Sequence, residues 1–467
     1  MALQAQHSTH PAASPTSGRF SLRLAIEALA KRSPALLALI VFGLIITLIT
    51  LLLLLPTSKE GVGGASFLEA LFTATSAVCV TGLTIVNTAA YWTPFGQGVI
   101  ALGMQIGGLG VMTLASLLGL AVSRHIGLTQ RILTAAETKS RLGEVGGLLR
   151  AVVFTSISAE AILTLLYLPT MLSQGMSLLD AIGHSLFFAV STFNNGGFVA
   201  LDAGTEIFAT SWGFSLPLIL GTITGAIGFP AILNIAQNWR RPSHWSLHVK
   251  LTLVIYAGLF LVGTIMIAAL EWTNPLTFAN FTEGQKILGA LVHSAAARSS
   301  GFSTVDIGSM RESTWWLLDG LMFIGGGSAG TAGGIKVTTF AVLVFAIVAE
   351  ARGDRDVEAF GKRMGSGVVR LAISATLLGA VIVGSSTLIL LQLTDFSLSQ
   401  ILFETVSAFG TCGLSTGITP LLPDSAKFIL IVLMYLGRVG TMTFAAALAL
   451  RHRRRVVRLP EERPIIG

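Results

Sequence analysis

The chain has 467 residues, of which 52% are hydrophobic and only 11% are charged, and its net charge is +7 at neutral pH. A soluble domain carries about 25% charged residues, so this composition excludes an ordinary soluble domain and indicates an integral membrane protein. In such a protein the basic residues are first a topology signal, and they do not point to a nucleic-acid partner. The two cysteines, Cys79 and Cys412, do not form a disulfide framework.

Apolar runs long enough to span a bilayer alternate with shorter segments along the chain. The first 33 residues are polar and are interpreted as a tail rather than a signal peptide. Eight spanning helices are predicted near 34–56, 95–123, 146–172, 212–236, 250–271, 315–349, 366–393 and 425–450. Four shorter segments, near 65–78, 178–192, 284–297 and 396–409, are too short to span.

Each short segment ends in a motif that occurs four times, at 71–84, 186–199, 291–303 and 402–415. Three copies share LFxxxS followed six residues later by glycine, and the third copy is one residue shorter. The glycines Gly82, Gly197, Gly301 and Gly413 are 104 to 115 residues apart. This period predicts tandem repeats. The predicted fold class is all-α integral membrane, with four helix–pore loop–helix repeats (eight spanning and four re-entrant helices) around a pseudo-fourfold central pore.

The domain boundaries follow from these runs. The predicted parts are an N-terminal tail at 1–33, repeats at 34–123, 146–236, 250–349 and 366–450, linkers at 124–145, 237–249 and 350–365, and a C-terminal tail at 451–467. The tails, the linkers and the helix ends beside them carry 23 of the 30 Lys and Arg residues. Because cytoplasmic segments are enriched in basic residues, both termini are expected in the cytoplasm and the motif loops face outward from a plasma membrane.

The motif loops carry small and polar residues and no carboxylate. Backbone carbonyls from several loops can replace the water around a monovalent cation, and glycine tolerates the dihedral angles that aim them. A short helix that ends at the loop adds the negative end of its dipole. The candidate filter residues are Val80, Thr81, Gly82, Asn195, Gly196, Gly197, Ser299, Ser300, Gly301, Thr411, Cys412 and Gly413. One such loop alone would be an ordinary glycine turn, whereas four in register favour a cation filter.

A second glycine-rich stretch lies inside the sixth apolar run. It consists of Gly325, Gly326, Gly327, Ser328, Ala329, Gly330, Thr331, Ala332, Gly333 and Gly334. Each glycine costs a helix about 1 kcal/mol relative to alanine, so we predict a helix break and a mobile intramembrane loop that acts as a gate. Close helix packing through small residues is the alternative, and it suits the thinner glycine patterns of the other repeats.

Three charged residues lie close to these stretches. Arg438 is in the last apolar run, where it can face the pore and hydrogen-bond to the loop, or instead form an ion pair or reach the membrane surface. Arg298 precedes Gly301 by three residues, and Glu404 lies in the fourth short segment. We predict that Arg298 pairs with a carboxylate such as Glu404 or Glu69 and supports the filter.

The whole organisation resembles the superfamily of K+ transporters that contains TrkH, KtrB, Trk and HKT. FNNGGF at 193–198, ARSSGF at 297–302 and FGTCGL at 409–414 are similar to its second, third and fourth filter sequences. The chain has only a polar tail where TrkH proteins carry an extra helix pair, so it is more similar to the KtrB branch.

The resemblance implies a K+-translocating pore subunit that is not an enzyme. No cofactor is expected on this chain, and K+ is the transported ion. The resemblance further implies that 325–334 and Arg438 form the gate. It also implies a bacterial homodimer in contact with lipid, and a cytosolic KtrA-like regulatory ring that binds ATP, ADP or cyclic di-AMP.

Two other functions fit parts of the pattern. An ion-coupled transporter with alternating access usually places its site between inverted repeats, whereas these repeats run parallel. An intramembrane enzyme with Ser328 as nucleophile needs a base, and no histidine lies in an apolar run near it. Conduction of K+, with its Na+ dependence left open, is the function that the sequence favours.

Overall fold

The structure is a computed structural model that describes residues 34–123 and 145–440. The predicted tails at 1–33 and 451–467, and the linker at 124–145 except for its last residue, lie outside the described residues. The described part is predominantly helical, as the composition predicts. Five of its helices are long and apolar enough to cross a membrane, and a bent pair adds a sixth if it is counted as one span.

The long helices follow the predicted apolar runs to within a few residues. In chain order they are α1 (Pro34–Leu53), α3 (Pro94–Ser123), α4 (Val145–Ser173), the pair α6 (Trp212–Ile227) and α7 (Phe229–Gln237), α8 (Leu247–Glu271), the pair α10 (Glu312–Phe323) and α11 (Val337–Arg352), α12 (Ser366–Leu393) and α14 (Asp424–Tyr435). A π-helical turn, Leu436–Gly440, follows α14. The end of the last predicted run, 441–450, lies beyond the described residues.

The prediction of one continuous helix at 212–236 is wrong. Helices α6 and α7 meet at an angle of 93°. Gly228 joins them with φ of +92°, and Pro230 lies in the first turn of α7. A Cβ on Gly228 would lie 2.8 Å from both Gly330 N and Ser328 O, so the bend accommodates the glycine-rich loop of the third repeat. The sequence signal for this bend is the GFP tripeptide at 228–230.

The four short segments are helices α2 (Phe67–Val78), α5 (Leu178–Phe193), α9 (Glu283–Ala296) and α13 (Leu398–Gly410). Each helix begins directly after a Ser or Thr. Three residues after that Ser or Thr stands a Glu, Asp or Gln that hydrogen-bonds with it. The backbone N–H groups of Ser66 and Ser397 donate to the side chains of Glu69 and Gln400, which is the capping box that starts a helix. Each of these helices is largely buried, and they contribute large apolar side chains such as Phe72, Phe188 and Phe403 to the core.

The outer surfaces of the long helices are apolar. Leu44, Leu165, Ile265 and Leu377 are 63 to 68% exposed. Contiguous exposed apolar side chains on long helices fit contact with lipid, whereas the polar side chains gather around the four motif loops.

The linker at 350–365 contains a small hairpin that the sequence reasoning missed. Strands β1 (Val357–Ala359) and β2 (Lys362–Met364) pair antiparallel, with Val357 opposite Met364. Ala359 and Met364 are buried in a cluster that also contains Val342 and Leu251. Charged residues are frequent in this stretch, which is why its sequence predicts a solvated loop.

Candidate functional site

Each of the four short helices ends in the same unusual backbone conformation just before its filter glycine. The residues two positions before the glycines, Val80, Asn195, Ser299 and Thr411, have φ between +45° and +82° although none is glycine. In three loops the next residue donates its N–H to the carbonyl of the motif serine at 2.6 to 2.8 Å. This is the Schellman arrangement, in which a left-handed residue ends a helix.

In the first and fourth loops the motif serine also holds the filter glycine in place. The N–H of Gly82 donates to Ser76 Oγ at 3.0 Å, and that of Gly413 donates to Ser407 Oγ at 3.1 Å. The shorter third motif has Ala296 at this position, and its glycine N–H points to the Ala296 carbonyl oxygen at 3.4 Å instead. The repeated serine is therefore a structural element of the loop, and its absence from the third motif follows from the missing residue.

The four filter glycines form a closed ring of backbone contacts in chain order. A Cβ would lie 2.8 Å from Gly196 O if built on Gly82, 2.9 Å from Ser300 O on Gly197, 2.5 Å from Cys412 O on Gly301, and 2.2 Å from Thr81 O on Gly413. The four glycines also have φ between +67° and +95°. Both the backbone conformation and the space therefore require glycine at every position of the ring.

The carbonyl oxygens that face this ring lack hydrogen-bond donors. Those of Thr81, Gly196, Ser300 and Cys412 belong to buried residues, and none accepts a hydrogen bond from any residue in 34–123 or 145–440. A buried acceptor without a partner costs roughly 1–3 kcal/mol, so four in one ring create a strong demand for positive charge. A dehydrated monovalent cation meets that demand.

The Cys412 side chain lies behind the ring. It is 0% exposed, and its Sγ lies 3.3 Å from the carbonyl oxygen of Ala296, to which it donates. The backbone of Cys412 thus contributes to the ring while its thiol ties the fourth loop to the third pore helix.

The predicted helix break in the third repeat is present. The glycine-rich loop, residues 324–336, separates α10 from α11. Its N–H groups donate to the second repeat and to its own filter loop: Gly327 to Ala226 O at 2.8 Å, Thr331 to Gly225 O at 3.1 Å, and Gly333 to Ser299 Oγ at 3.1 Å. The loop therefore lies against filter and inner-helix residues inside the protein.

Thr331 is the residue of the loop with the most contacts to charged and filter groups. Asn195 Nδ2 donates to Thr331 Oγ1 at 2.6 Å, and the guanidinium of Arg438 donates to the Thr331 carbonyl oxygen. Arg438 is 1% exposed, and its second amino group donates to Gly107 O at 3.3 Å. Within the described residues it forms no ion pair and does not reach the surface, so of the alternatives the sequence leaves open, the loop contact is the one observed.

The predicted ion pair of Arg298 is wrong. Arg298 is 0% exposed, and it contacts neither Glu404 nor Glu69. Its Nη1 donates to the carbonyl oxygens of Ile324 and Gly325 at 3.0 and 3.3 Å, and its guanidinium lies 4.9 Å from the ring centre of Tyr256. The carbonyls exposed by the helix break are better placed for Arg298 than any carboxylate, so this residue joins the third filter loop to the start of the glycine-rich loop.

Glu404 contacts the segment that follows the fourth motif loop. Its carboxylate accepts hydrogen bonds from the hydroxyl groups of Ser415 at 2.7 Å and Thr419 at 2.5 Å, and from the N–H of Thr416 at 2.9 Å. These donors follow Gly413 directly, so the fully buried Glu404 fixes the segment after the fourth filter loop. The signal in the sequence is the three hydroxyl residues that follow Gly413, namely Ser415, Thr416 and Thr419.

The thinner glycine patterns of the other inner helices serve close packing. A Cβ on Gly107, Gly225 or Gly437 would lie 1.9 to 2.0 Å from the carbonyl oxygen of Val78, Phe193 or Phe409, respectively. Each of these carbonyls ends the pore helix of the same repeat. The packing interpretation is thus confirmed for these three repeats.

These features define the class of the protein. It is a predominantly helical, multi-pass membrane protein with a ring of oxygen atoms suited to cations. A model of the TrkH family, described as cation transport protein, matches residues 38–455, and the chain belongs to this family. The family consists of cation transporters rather than enzymes, which excludes Ser328 as a catalytic nucleophile; its hydroxyl shares a hydrogen bond of 2.8 Å with that of Thr338.

Individual relatives agree with this assignment. The chain is 38% identical to Ktr system potassium uptake protein B of Bacillus subtilis (strain 168), over 87% of this chain and 91% of that protein. It is 34% identical to Ktr system potassium uptake protein B of Vibrio alginolyticus, over 89% and 91%. The crystal structure of the potassium transporter TrkH from Vibrio parahaemolyticus matches with a TM-score of 0.69 at 19% identity, covering 89% of this chain and 84% of that chain, and so shares the fold.

Proposed function

We propose that this protein is the K+-translocating pore subunit of a K+ uptake system. The observation that carries the proposal is the ring of four unpaired carbonyl oxygens at Thr81, Gly196, Ser300 and Cys412, each held against the glycine of the preceding loop. Dehydrated K+ needs oxygen ligands, and a ring without carboxylates suits a monovalent ion better than a divalent one. The potassium uptake relatives support K+ as the ion.

The proposed architecture has four tandem repeats and eight spans around a pseudo-fourfold axis. The broken run made of α10 and α11, the bent pair α6 and α7, and the last run each count as one span. Both termini are cytoplasmic in this proposal, and the filter faces outward from the plasma membrane, because 23 of the 30 basic residues lie at the opposite ends of the helices.

In this proposal residues 325–334 of the glycine-rich loop form the gate below the filter. Arg438 holds it closed through the Thr331 carbonyl oxygen, and its charge opposes the passage of K+. Contacts of the loop with two filter loops, through Asn195 and Ser299, support a position in the ion path. The four loops contribute equivalent atoms, which favours a pore over alternating access.

Regulation is proposed to come from outside the chain. We expect a homodimer with one pore per protomer and a cytosolic KtrA-like ring that binds ATP, ADP or cyclic di-AMP. The hairpin at 357–364 and the basic residues beside it are the described part of the face on which such a ring would dock.

Growth rescue tests the central claim. Expression in a bacterium that lacks K+ uptake systems is expected to restore growth at limiting K+, more strongly with a KtrA-like subunit than without it. Uptake is measured with and without Na+, and protein in the membrane is quantified alongside the empty-vector control. A chain that is well expressed yet rescues under no partner or Na+ condition would remove the proposal.

The buried thiol of Cys412 allows a second test of the proposed filter, in which only a small reagent can reach the thiol. External Ag+ is expected to block K+ uptake, because a bare ion can pass into a K+ filter and reach a thiol directly behind it. A methanethiosulfonate reagent is expected to leave uptake unchanged, since Cys412 is 0% exposed. The Cys412→Thr variant should keep transport and lose most of the Ag+ block. Block that survives in this variant, with Cys79 also replaced by Ala, would contradict the assignment.

A further inference from the structure

The inner helix of the second repeat turns aside before it has crossed the membrane. Helix α7 (Phe229–Gln237) follows α6 at an angle of 93°, so it runs along the plane of the membrane rather than through it. The N–H of Ser246, the residue that caps the spanning helix α8, donates to Asn234 Oδ1 at 3.2 Å. Helix α7 therefore lies at the level at which α8 enters the membrane. Residues 229–250, from α7 to the first turn of α8, are called the α7 segment below.

The α7 segment carries positive charge without a compensating carboxylate. Its charged residues are Arg240, Arg241 and Lys250. The sequence contains no Asp or Glu between Glu206 and Glu271. In the described part of the chain, none of the three basic residues forms an ion pair, and the two arginines are exposed. Basic clusters beside the end of a spanning helix attract anionic lipid headgroups.

An exposed tryptophan stands beside these arginines. Trp239 is 65% exposed, and the guanidinium of Arg240 lies 4.6 Å from its ring centre. Leu233 of α7 is also exposed. Tryptophan is favoured at the boundary between hydrocarbon and headgroups, and a guanidinium stacked on a ring keeps its N–H groups available to a phosphate. The α7 segment thus offers apolar contact and phosphate donors side by side.

We propose that the α7 segment binds one anionic phospholipid of the cytoplasmic leaflet, with its phosphate at Arg240 and Arg241 and its acyl chains against Leu233 and Trp239. The uncompensated positive charge favours an anionic lipid over a zwitterionic one. The level of α7 beside the start of α8 favours a lipid over a soluble partner, because headgroups lie at that depth. Binding does not depend on the ion that the protein carries, and only the assignment to the cytoplasmic leaflet rests on the orientation in the proposed function.

A lipid at this site anchors the joint against which the glycine-rich loop packs. Gly228 joins α7 to α6, and a Cβ on it would lie 2.8 Å from both Gly330 N and Ser328 O. The last turn of α6 also accepts the N–H groups of Gly327 and Thr331. Fixing α7 therefore restrains the backbone that holds the loop.

Lipid binding to the purified full-length protein in a neutral detergent tests the site without transport. Native mass spectrometry of the wild type is expected to show bound phosphatidylglycerol in preference to phosphatidylcholine. The apparent affinity for phosphatidylglycerol should fall at least about tenfold in Arg240→Gln/Arg241→Gln, a change of about 1.4 kcal/mol by the usual conversion. Trp239→Ala, which keeps both charges, should also weaken the binding of phosphatidylglycerol.

Arg355→Gln/Lys362→Gln is the matched control for the loss of two positive charges. Both residues are exposed, and they lie in and beside the hairpin, where Asp354, Asp356 and Glu358 compensate their charge. This variant should bind phosphatidylglycerol as the wild type does. Inorganic phosphate in excess should not displace the lipid from the wild type, because it lacks the acyl chains that contact Leu233 and Trp239.

Equal affinities of the wild type and Arg240→Gln/Arg241→Gln for phosphatidylglycerol would overturn the site. An equal fall in the control variant would also overturn it, since net charge alone would then explain binding. Displacement by inorganic phosphate, or unchanged binding by Trp239→Ala, would overturn the assignment to a lipid. Selective loss of phosphatidylglycerol in the arginine variant, together with no K+ uptake by the wild type, would instead refute the proposed function and leave the site standing.

Discussion

K+ uptake is expected to fall by at least about tenfold when Gly413 is replaced by alanine. A tenfold fall corresponds to an increase of about 1.4 kcal/mol in the free-energy barrier for an ion that crosses the ring. The added Cβ would lie 2.2 Å from Thr81 O, a carbonyl of the proposed ion-binding ring, and 3.0 Å from the Cα of Gly82. Backbone atoms cannot rotate away as a side chain would, so the first and fourth loops have to separate. The measurement is the initial rate of K+ or Rb+ uptake per amount of membrane protein.

Gly417→Ala provides a matched control four residues further along. Gly417 has φ of +90°, close to the +95° of Gly413, but a Cβ there would meet no atom within 4 Å. Both variants carry a left-handed alanine, which costs roughly 1–2 kcal/mol of conformational strain. Only Gly413→Ala also disturbs the ring. Equal loss of uptake in both variants would mean that strain, and not the ring of carbonyls, explains the requirement for glycine.

The second large effect is expected in the opposite direction. Arg438→Met should raise K+ uptake about threefold to tenfold, because it removes a buried positive charge and a hydrogen bond to the Thr331 carbonyl, and hydrogen bonds of charged donors contribute about 1.5–3 kcal/mol. Methionine keeps much of the side-chain volume without a donor. Deletion of 325–334 should change uptake in the same direction if the loop is a gate.

Arg311→Met is the control for loss of a positive charge. Arg311 is exposed and donates to Thr273 Oγ1 at 3.0 Å, away from the glycine-rich loop. Its replacement should leave the rate of uptake unchanged. Uptake by Arg438→Met at or below the wild-type rate, with normal amounts of folded protein, would show that Arg438 stabilises packing rather than a closed gate. The Tm of the purified variant distinguishes this result from simple loss of the protein.

Much of the geometry of the four candidate filter loops was predictable because its requirements are local. A helix too short to span, a capping serine or threonine at its start and a glycine at its end are visible in sequence, and their fourfold recurrence gave all four loops the correct register. The break at 324–336 was predictable for the same reason, since six glycines in ten residues destabilise a helix wherever it lies.

The partners of the buried charges were not predictable in this way. Arg298 and Glu404 both lie beside the filter, but one binds carbonyls freed by a helix break and the other binds hydroxyl groups after the fourth loop. Pairing opposite charges by proximity in the motif ignored these neutral partners. The bend at Gly228 was missed because its cause is the glycine-rich loop of another repeat, which contacts Gly228 only in the folded chain.

The sequence by itself therefore determined the membrane class, the number of motif loops, the residues in each loop and the position of the helix break. These depend on hydropathy, length and backbone preference, which act over a few neighbouring residues. Only the tertiary structure decided that the four glycines close into one ring, that Arg438 contacts Thr331, and that Glu160 faces a cavity beside Asn194. Those relations join residues that are 34 positions apart for Glu160 and Asn194 and 107 positions apart for Arg438 and Thr331. They depend on how the helices and repeats pack, which no local pattern encodes.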